Sequence, residues 1–158
     1  MQYIKGMQFY QNDKKTAITL GKFDGLHRGH ETLIERVIEH QKNDGVDSVV
    51  FAFDMAPLYE KIKKKKESLI TNEERAGRLF GRVDYLVECP FVEAVSKIEA
   101  ETFIKEILVK QFHAEYIVVG TDFHFGYQKK GDYHMLQQYS GEYGYEVEVI
   151  EKKCYEDR

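Results

Sequence analysis

The chain has 158 residues, and 23 lysines and arginines stand against 27 aspartates and glutamates, which gives a formal net charge of −4. This length predicts a single domain over residues 1–158, and 42% hydrophobic with 32% charged residues is typical of a globular protein rather than a disordered one. Because no run of 18 apolar residues and no basic-then-apolar leader occurs, we expect no membrane span and no secretory signal.

The charge balance and the cysteines restrict the partners and the compartment. A slightly acidic chain is not built to coat nucleic acid, so we expect no nucleic-acid partner. Cys89 and Cys154 lie far apart and form no disulfide framework, which favours a reducing, cytoplasmic location. The sequence gives no indication of the oligomeric state.

Five apolar segments predict β-strands. Four of them are short, rich in β-branched and aromatic residues, and typical of strands that are buried on both faces. In the fifth, Tyr145, Val147 and Val149 alternate with Glu146 and Glu148, which predicts a half-exposed edge strand. Residues 1–10 are too short a pattern to assign. The four buried segments are Thr16–Leu20, Ser48–Phe53, Val83–Val87 and Tyr116–Val119.

Helical patterns separate these strands. An apolar stripe runs from Leu33 to Gln41. Capping boxes predict two further helix starts, one at Thr71 and one at Ser96 with Glu99 before the stripe of residues 103–108, and Asp132 predicts a fourth start. Alternating strands and helices predict an α/β fold, a three-layer Rossmann-like parallel sheet of about five strands with helices on both faces. In such sheets ligands bind beyond the carboxyl ends of the strands, where the strand order reverses.

The segment that follows the first of these strands, residues 21–30, has the character of a phosphate site. Its glycines permit a tight turn and close backbone approach, and the helix that follows offers free N–H groups to an anion. His27 and His30, with Gly29 between them, could both donate to that anion. A metal site at the two histidines and a helix cap without a role are the alternatives. No Walker loop and no G-x-G-x-x-G is present.

The segment that follows Val119 has the character of a pocket wall. After Gly120, Asp122 could accept hydrogen bonds from ribose hydroxyls or a base amine, and Phe123 or Phe125 could stack on a flat ring. The alternative places both phenylalanines in the core and makes Asp122 a turn former. The Lys61–Lys66 run is a solvated loop, a group that attracts polyanionic ligands, or a mobile flap over the site.

These two segments carry a resemblance to a known family. The pattern Gly21-x-Phe23-Asp24-Gly25-x-His27-x-Gly29-His30 resembles the His-x-Gly-His signature of the nucleotidylyltransferase superfamily, in the form found in the FMN adenylyltransferase module of bacterial FAD synthetases. Residues 120–132 are similar to that family's Gly-x-Asp-Phe-x-Phe-Gly…Gly-Asp element. The Val83–Val87 segment with Pro90-Phe91 also matches, so the resemblance runs from about Thr16 to Ile150.

The resemblance implies adenylyl transfer from ATP to FMN, giving FAD and pyrophosphate, with Mg²⁺ bound to ATP and no resident metal. It implies catalytic roles for His27 and His30 and flavin contacts for Phe123 and Phe125. The nucleotide-binding residues that it implies are Gly21, Phe23, Asp24, Gly25, Gly29, Gly120 and Asp122. Alternatives are a nucleotidylyltransferase with another phosphate acceptor and a non-catalytic nucleotide- or flavin-binding module.

The chain also departs from the family pattern. His124 stands where the family commonly has arginine, and residues 54–57 lack the family's Pro-His-Pro. No Ser-Ser/Thr…Arg motif follows Ile150, and the riboflavin kinase domain that usually follows is expected to be absent from this chain.

Overall fold

The computed structural model describes residues 1–22, 28–55, 57 and 81–151, without the side chains of residues 28–30. Six parallel strands form one sheet in the order β1-β4-β3-β2-β5-β6. About five strands were expected, and the additional one is formed by the opening residues. The strands are β1 (Gln2–Lys5), β2 (Thr16–Gly21), β3 (Asp47–Asp54), β4 (Tyr85–Pro90), β5 (Ala114–Gly120) and β6 (Glu146–Ile150).

The two faces of the sheet pack against different layers. Period-2 alternation sends Ala17, Val50 and Val118 to the face that is covered by α1 (Arg28–Asp44), where Leu33, Ile34 and Val37 are buried. The neighbouring residues Ile18, Phe51 and Val119 belong to the other core cluster. That second face is covered by Phe103, Ile107 and Leu136. The predicted three-layer arrangement is therefore confirmed, and β6 lies at an edge as predicted.

Strand β4 begins two residues later than the pattern of Val83–Val87 predicts. Asp84 lies in the turn before it and exchanges hydrogen bonds with the start of β3, because its Oδ2 accepts from the Ser48 N–H at 3.0 Å and its own N–H donates to Ser48 Oγ at 2.9 Å. Ladder pairing then starts at Tyr85, opposite Val49, and continues to Pro90.

The segment that follows β4 corrects the second capping box. Ser96 ends the short helix α2 (Glu93–Ser96), and its Oγ donates to the Glu93 carbonyl at 2.7 Å. The next helix, α3 (Ala100–Thr102), begins after Glu99, and the Glu99 side chain makes no capping hydrogen bond. It continues directly into a π-helix over Phe103–Gln111. Its apolar stripe is buried as predicted; the stripe comprises Phe103, Ile104, Ile107 and Leu108.

Helix α4 (Tyr133–Tyr143) begins as predicted. Asp132 is its N-cap and accepts a hydrogen bond from the Met135 N–H at 3.1 Å. The helix ends at Gly144, whose φ of +76° is a left-handed conformation that glycine adopts without strain. The predicted helix start at Thr71 lies outside the described residues. In the described part of the chain, no helix has the length and apolar content that crossing a bilayer requires.

Candidate functional site

The carboxyl ends of all six strands lie at one edge of the sheet, because every strand pair is parallel. Strand order reverses between β2 and β5: the chain proceeds from β2 to β3 and β4 on one side, then returns to β5 on the other. Gly21 ends β2 and Gly120 ends β5, so the two predicted segments leave neighbouring strands at this reversal point. A crevice at such a point is where ligands bind in open α/β sheets.

Helix α1 begins at Arg28, shortly after β2 ends, so its amino terminus belongs to the same edge. Its first N–H groups have no partner within the helix, and the helix dipole makes this end attractive to anions. Glu31 would oppose an incoming anion, but its carboxylate is held by both Arg82 guanidinium nitrogens, at 3.0 and 2.6 Å. The local charge of that carboxylate is therefore balanced.

The structure describes part of the predicted phosphate site. Gly29 and His30 lie in the first turn of α1, and the His30 ring is outside the description. Phe23, Asp24, Gly25 and His27 lie outside the described residues. Whether the two imidazoles converge therefore stays a prediction.

The turn after β5 is fixed by backbone hydrogen bonds. The Thr121 N–H donates to the Ile150 carbonyl at 3.1 Å, and the Phe123 N–H donates to the Gly120 carbonyl at the same distance. Asp122 is exposed between them, and its carbonyl oxygen is 3.0 Å from His124 Nδ1. The structure thus presents Asp122 at the edge where β2 and β5 end, while its nucleotide-binding role stays a prediction.

The two predicted flavin-stacking residues have different surroundings. Phe125 is 4% exposed and packs against Phe103 with ring centroids 5.7 Å apart, so its ring belongs to the core. Phe123 is half-buried, stacks on Phe125 at 5.7 Å and approaches Phe53 at 6.4 Å. Of the pair, Phe123 is the residue whose ring retains surface for a flat ligand.

Two glycines hold the loop that carries these residues. At Gly126 the φ is +82°, and a Cβ there would lie 2.6 Å from the Ala100 Cα. At Gly131 a Cβ would lie 2.7 Å from the Phe125 ring, and the two residues exchange backbone hydrogen bonds of 3.1 and 2.8 Å. The glycines themselves are the sequence signal at both positions, because a backbone that approaches another group this closely leaves no room for a Cβ. The loop is therefore anchored at its middle, by Gly126, and near its end, by Gly131.

One buried carboxylate at this edge has no signature in the sequence. Glu88 is 1% exposed, and it lies in a register row with Ala52 and Gly21. The Tyr3 hydroxyl donates to its Oε1. An acid inside a buried apolar strand cannot be distinguished from an exposed one until the neighbouring strand that supplies its donor is known.

Other chemistry is limited in the described part. Within residues 1–22, 28–55, 57 and 81–151, no three His, Cys, Asp or Glu side chains are grouped to hold a metal ion. Burial raises the pKa of the Cys89 thiol to about 11, so it is not a thiolate nucleophile near neutral pH. The Lys61–Lys66 run lies outside the described residues.

The fold and the site define a class: a Rossmann-like α/β domain in which a helix amino terminus and an aromatic-bearing loop follow the two strands at the reversal point. The FAD synthetase family model matches residues 9–158. Since that match covers nearly the whole chain, the chain belongs to the FAD synthetase family.

Individual relatives agree with this assignment. The bifunctional riboflavin kinase/FMN adenylyltransferase of Escherichia coli (strain K12) is 30% identical over 140 residues, covering 87% of this chain and 45% of that protein. The protein of the same name from Buchnera aphidicola subsp. Schizaphis graminum is 27% identical over 162 residues, covering 100% of this chain and 52% of its own length. The chain thus spans about half the length of these curated relatives.

A solved structure shares the fold. A macrolide-efflux protein from Streptococcus pneumoniae, as that structure is described, superposes with a TM-score of 0.79 at 24% identity. The match covers 96% of this chain and 50% of the other. At this identity the similarity supports the fold alone.

Proposed function

We propose that this chain transfers the adenylyl group of ATP to FMN, forming FAD and releasing pyrophosphate. The observation that carries the proposal is the junction of two segments at one sheet edge: the start of α1 after Gly21, and the Gly120–Phe123 turn. Membership of the FAD synthetase family and the names of its relatives support the same reaction. The names of those relatives, which are about twice as long, also include a riboflavin kinase activity. We do not propose that activity for this chain.

The reaction sets modest chemical demands on the protein. The FMN phosphate is already an anion, so no general base and no covalent enzyme nucleophile is needed. Catalysis then depends on in-line positioning and on neutralising the charge at the α-phosphorus and the leaving pyrophosphate. We assign the charge neutralisation to His27, His30 and the amide groups near Gly29 at the start of α1.

The remaining residues are assigned to binding. Gly21, Phe23, Asp24, Gly25, Gly120 and Asp122 would surround the nucleotide, and Phe123 would stack on the flavin with Phe125 supporting it from the core. ATP would enter as its Mg²⁺ complex, with the ion held mainly through phosphate oxygens, since Mg²⁺ in phosphate-transfer sites is usually bound by substrate phosphates and few carboxylates. We place this activity in the cytoplasm, on the grounds given by the cysteines.

The test is pyrophosphate release from ATP and FMN by the chain and by His27→Ala and His30→Ala. Each substitution should lower turnover by about 10²–10³-fold, the range for loss of one transition-state donor, with the thermal unfolding midpoint unchanged. His134→Ala is the matched control, because His134 is an exposed histidine on α4. Turnover of both variants within a few-fold of the parent would remove the two histidines from the mechanism.

The choice of substrates separates the alternatives. The parent should release pyrophosphate with ATP and FMN, and neither CTP in place of ATP nor riboflavin in place of FMN should support the reaction. Turnover with another phosphate acceptor in preference to FMN would indicate a different nucleotidylyltransferase. Binding of ATP and FMN without any pyrophosphate release would indicate a ligand-binding module.

A further inference from the structure

The turn that follows Gly126 contains two consecutive left-handed residues that are not glycine. Gln128 has a φ of 58° and Lys129 a φ of 57°. The left-handed region costs an L-residue about 1–2 kcal/mol, and glycine occupies it without that cost. The chain has glycines at 126 and 131, on either side of this pair, yet it carries long side chains at the strained positions themselves. Strained backbone of this kind occurs preferentially at functional sites.

Hydrogen bonds on both sides hold the turn in this conformation. The Tyr127 N–H donates to the Ile98 carbonyl at 2.8 Å, and the Lys129 N–H donates to the Gly126 carbonyl at 3.0 Å. The Phe125–Gly131 bridge closes the loop behind them. The backbone of residue 129 is therefore held between contacts on both sides of the turn.

The side chain at 129 is a charged group without an acidic neighbour. Lys129 and Lys130 are exposed, and within the described part of the chain neither has a carboxylate at ion-pair distance. Other surface lysines here do have one: Lys97 pairs with Glu93 at 3.6 Å, and Lys110 pairs with Glu106 at 3.3 Å. An unpaired ammonium on a rigid turn is suited to bind an anion.

The position of the turn indicates which anion. The turn belongs to the loop that leaves the carboxyl end of β5 and carries Phe123, and it lies against the segment that leaves the carboxyl end of β4. The turn therefore belongs to the loops at the carboxyl edge of the sheet, the edge to which Phe123 and the start of α1 also belong. The substrates assigned above both carry phosphate groups.

We propose that Lys129 is a binding residue for a substrate phosphate group, held in a strained turn that fixes the start of its side chain on the loop that carries Phe123. The inference rests on the proposed function for the identity of the ligands. It goes beyond that function in assigning a cationic contact outside the His-x-Gly-His segment.

The experiment compares Lys129→Gly with Lys129→Asn and Lys129→Arg in the full chain. Glycine and asparagine both tolerate the left-handed conformation, so these variants should fold and Lys129→Gly should unfold at a higher urea concentration than the parent. Titration calorimetry should show about tenfold weaker binding of FMN, of ATP, or of both, for the two neutral variants, and Lys129→Arg should retain most of the affinity. Lys97→Gln is the control for loss of a surface lysine and should bind like the parent.

The unphosphorylated ligands distinguish a phosphate contact from a general change in the loop. Riboflavin differs from FMN by its missing phosphate, and adenosine lacks the phosphates of ATP, so the neutral variants should bind riboflavin and adenosine like the parent. Unchanged affinity for FMN and ATP, or an equal loss for riboflavin and adenosine, would overturn the inference. A parent that binds neither FMN nor ATP would overturn it too. A parent that binds them without releasing pyrophosphate would contradict the proposed reaction alone.

Discussion

His40 on α1 is joined to Glu148 on the edge strand β6, with 2.6 Å between its Nε2 and a Glu148 carboxylate oxygen. The other ring nitrogen is 2.9 Å from Asp44 Oδ2, and the ring stacks on Tyr116 with centroids 3.8 Å apart. The second Glu148 oxygen accepts from Arg36 at 2.9 and 2.8 Å. One carboxylate thus ties the helix that begins at the candidate site to the last strand of the sheet.

Glu148→Gln should weaken this junction. The amide keeps the size of the side chain but removes the charge that Arg36 and His40 both contact, and we expect the free energy of unfolding to fall by about 1–2 kcal/mol. Urea denaturation measures the change. Glu146→Gln is the matched control, since Glu146 lies two residues earlier on the same strand with an exposed side chain, and it should change stability little. Equal unfolding midpoints for the two variants would show that the junction adds nothing.

The exposure of Glu146 and the contacts of Glu148 on β6 could not both be predicted from the sequence. Alternation of Tyr145, Val147 and Val149 with glutamates predicted a half-exposed edge strand, and β6 is that strand. The pattern gives both glutamates the same expected exposure. Glu148 differs only because α1 packs against the neighbouring strand β5, which brings the side chains of His40 and Arg36 within reach of its carboxylate.

Fold-level features were predictable wherever local chemistry determines them. The Asp132 cap, the buried stripe at Phe103 and the parallel sheet follow from local patterns and from the alternation of strands and helices, and each is confirmed. The prediction of a capping box at Ser96 was wrong. A serine also suits the last turn of a helix, where its hydroxyl can donate to a carbonyl one turn earlier, and here it donates to the Glu93 carbonyl. The strand at residues 2–5 cannot be assigned from the sequence, because its pairing with β4 is a long-range contact that the sequence does not show.

The sequence located the candidate site only as the segments that follow the predicted strands, because ligands bind beyond the carboxyl ends of parallel strands. The motifs selected the segments after Leu20 and Val119, but that β2 and β5 are neighbours is known only from their pairing in the structure. The core position of Phe125 was one of two interpretations that its spacing allowed. Distinguishing it from Phe123 required the contact with Phe103, which comes from another segment of the chain.

The Cys89 thiol should be unreactive in the folded protein. Burial raises its pKa to about 11, with a smaller contribution from Asp54, so the thiol is protonated across the range from pH 7 to 9 and its thiolate forms only as the pH approaches that value. In a Cys154→Ser variant, a disulfide reagent at pH 8 should label the native chain slowly and the urea-unfolded chain within minutes. Stoichiometric labelling of the native variant at the rate of a free cysteine would contradict the burial.

Gly126→Ala should separate the two reasons for a glycine in the loop after β5. The φ of +82° is strained for alanine, and its Cβ would lie 2.6 Å from the Ala100 Cα and 2.8 Å from the Ala100 nitrogen, which are backbone atoms that cannot rotate away. Relief requires the loop to separate from α3, so we expect a loss of about 2–4 kcal/mol in the free energy of unfolding, together with weaker ligand binding at Phe123.

Gly141→Ala is the control for Gly126→Ala, because Gly141 lies within α4 and a Cβ there meets nothing within 4 Å. Alanine is the better helix former, so this change should raise the free energy of unfolding by about 0.5–1 kcal/mol. Urea denaturation of both variants gives the comparison, and FMN titration reports on the loop. If Gly126→Ala were as stable as the parent, the contact between Gly126 and Ala100 would not hold the loop, and the rigid turn that carries Lys129 would lose its anchor.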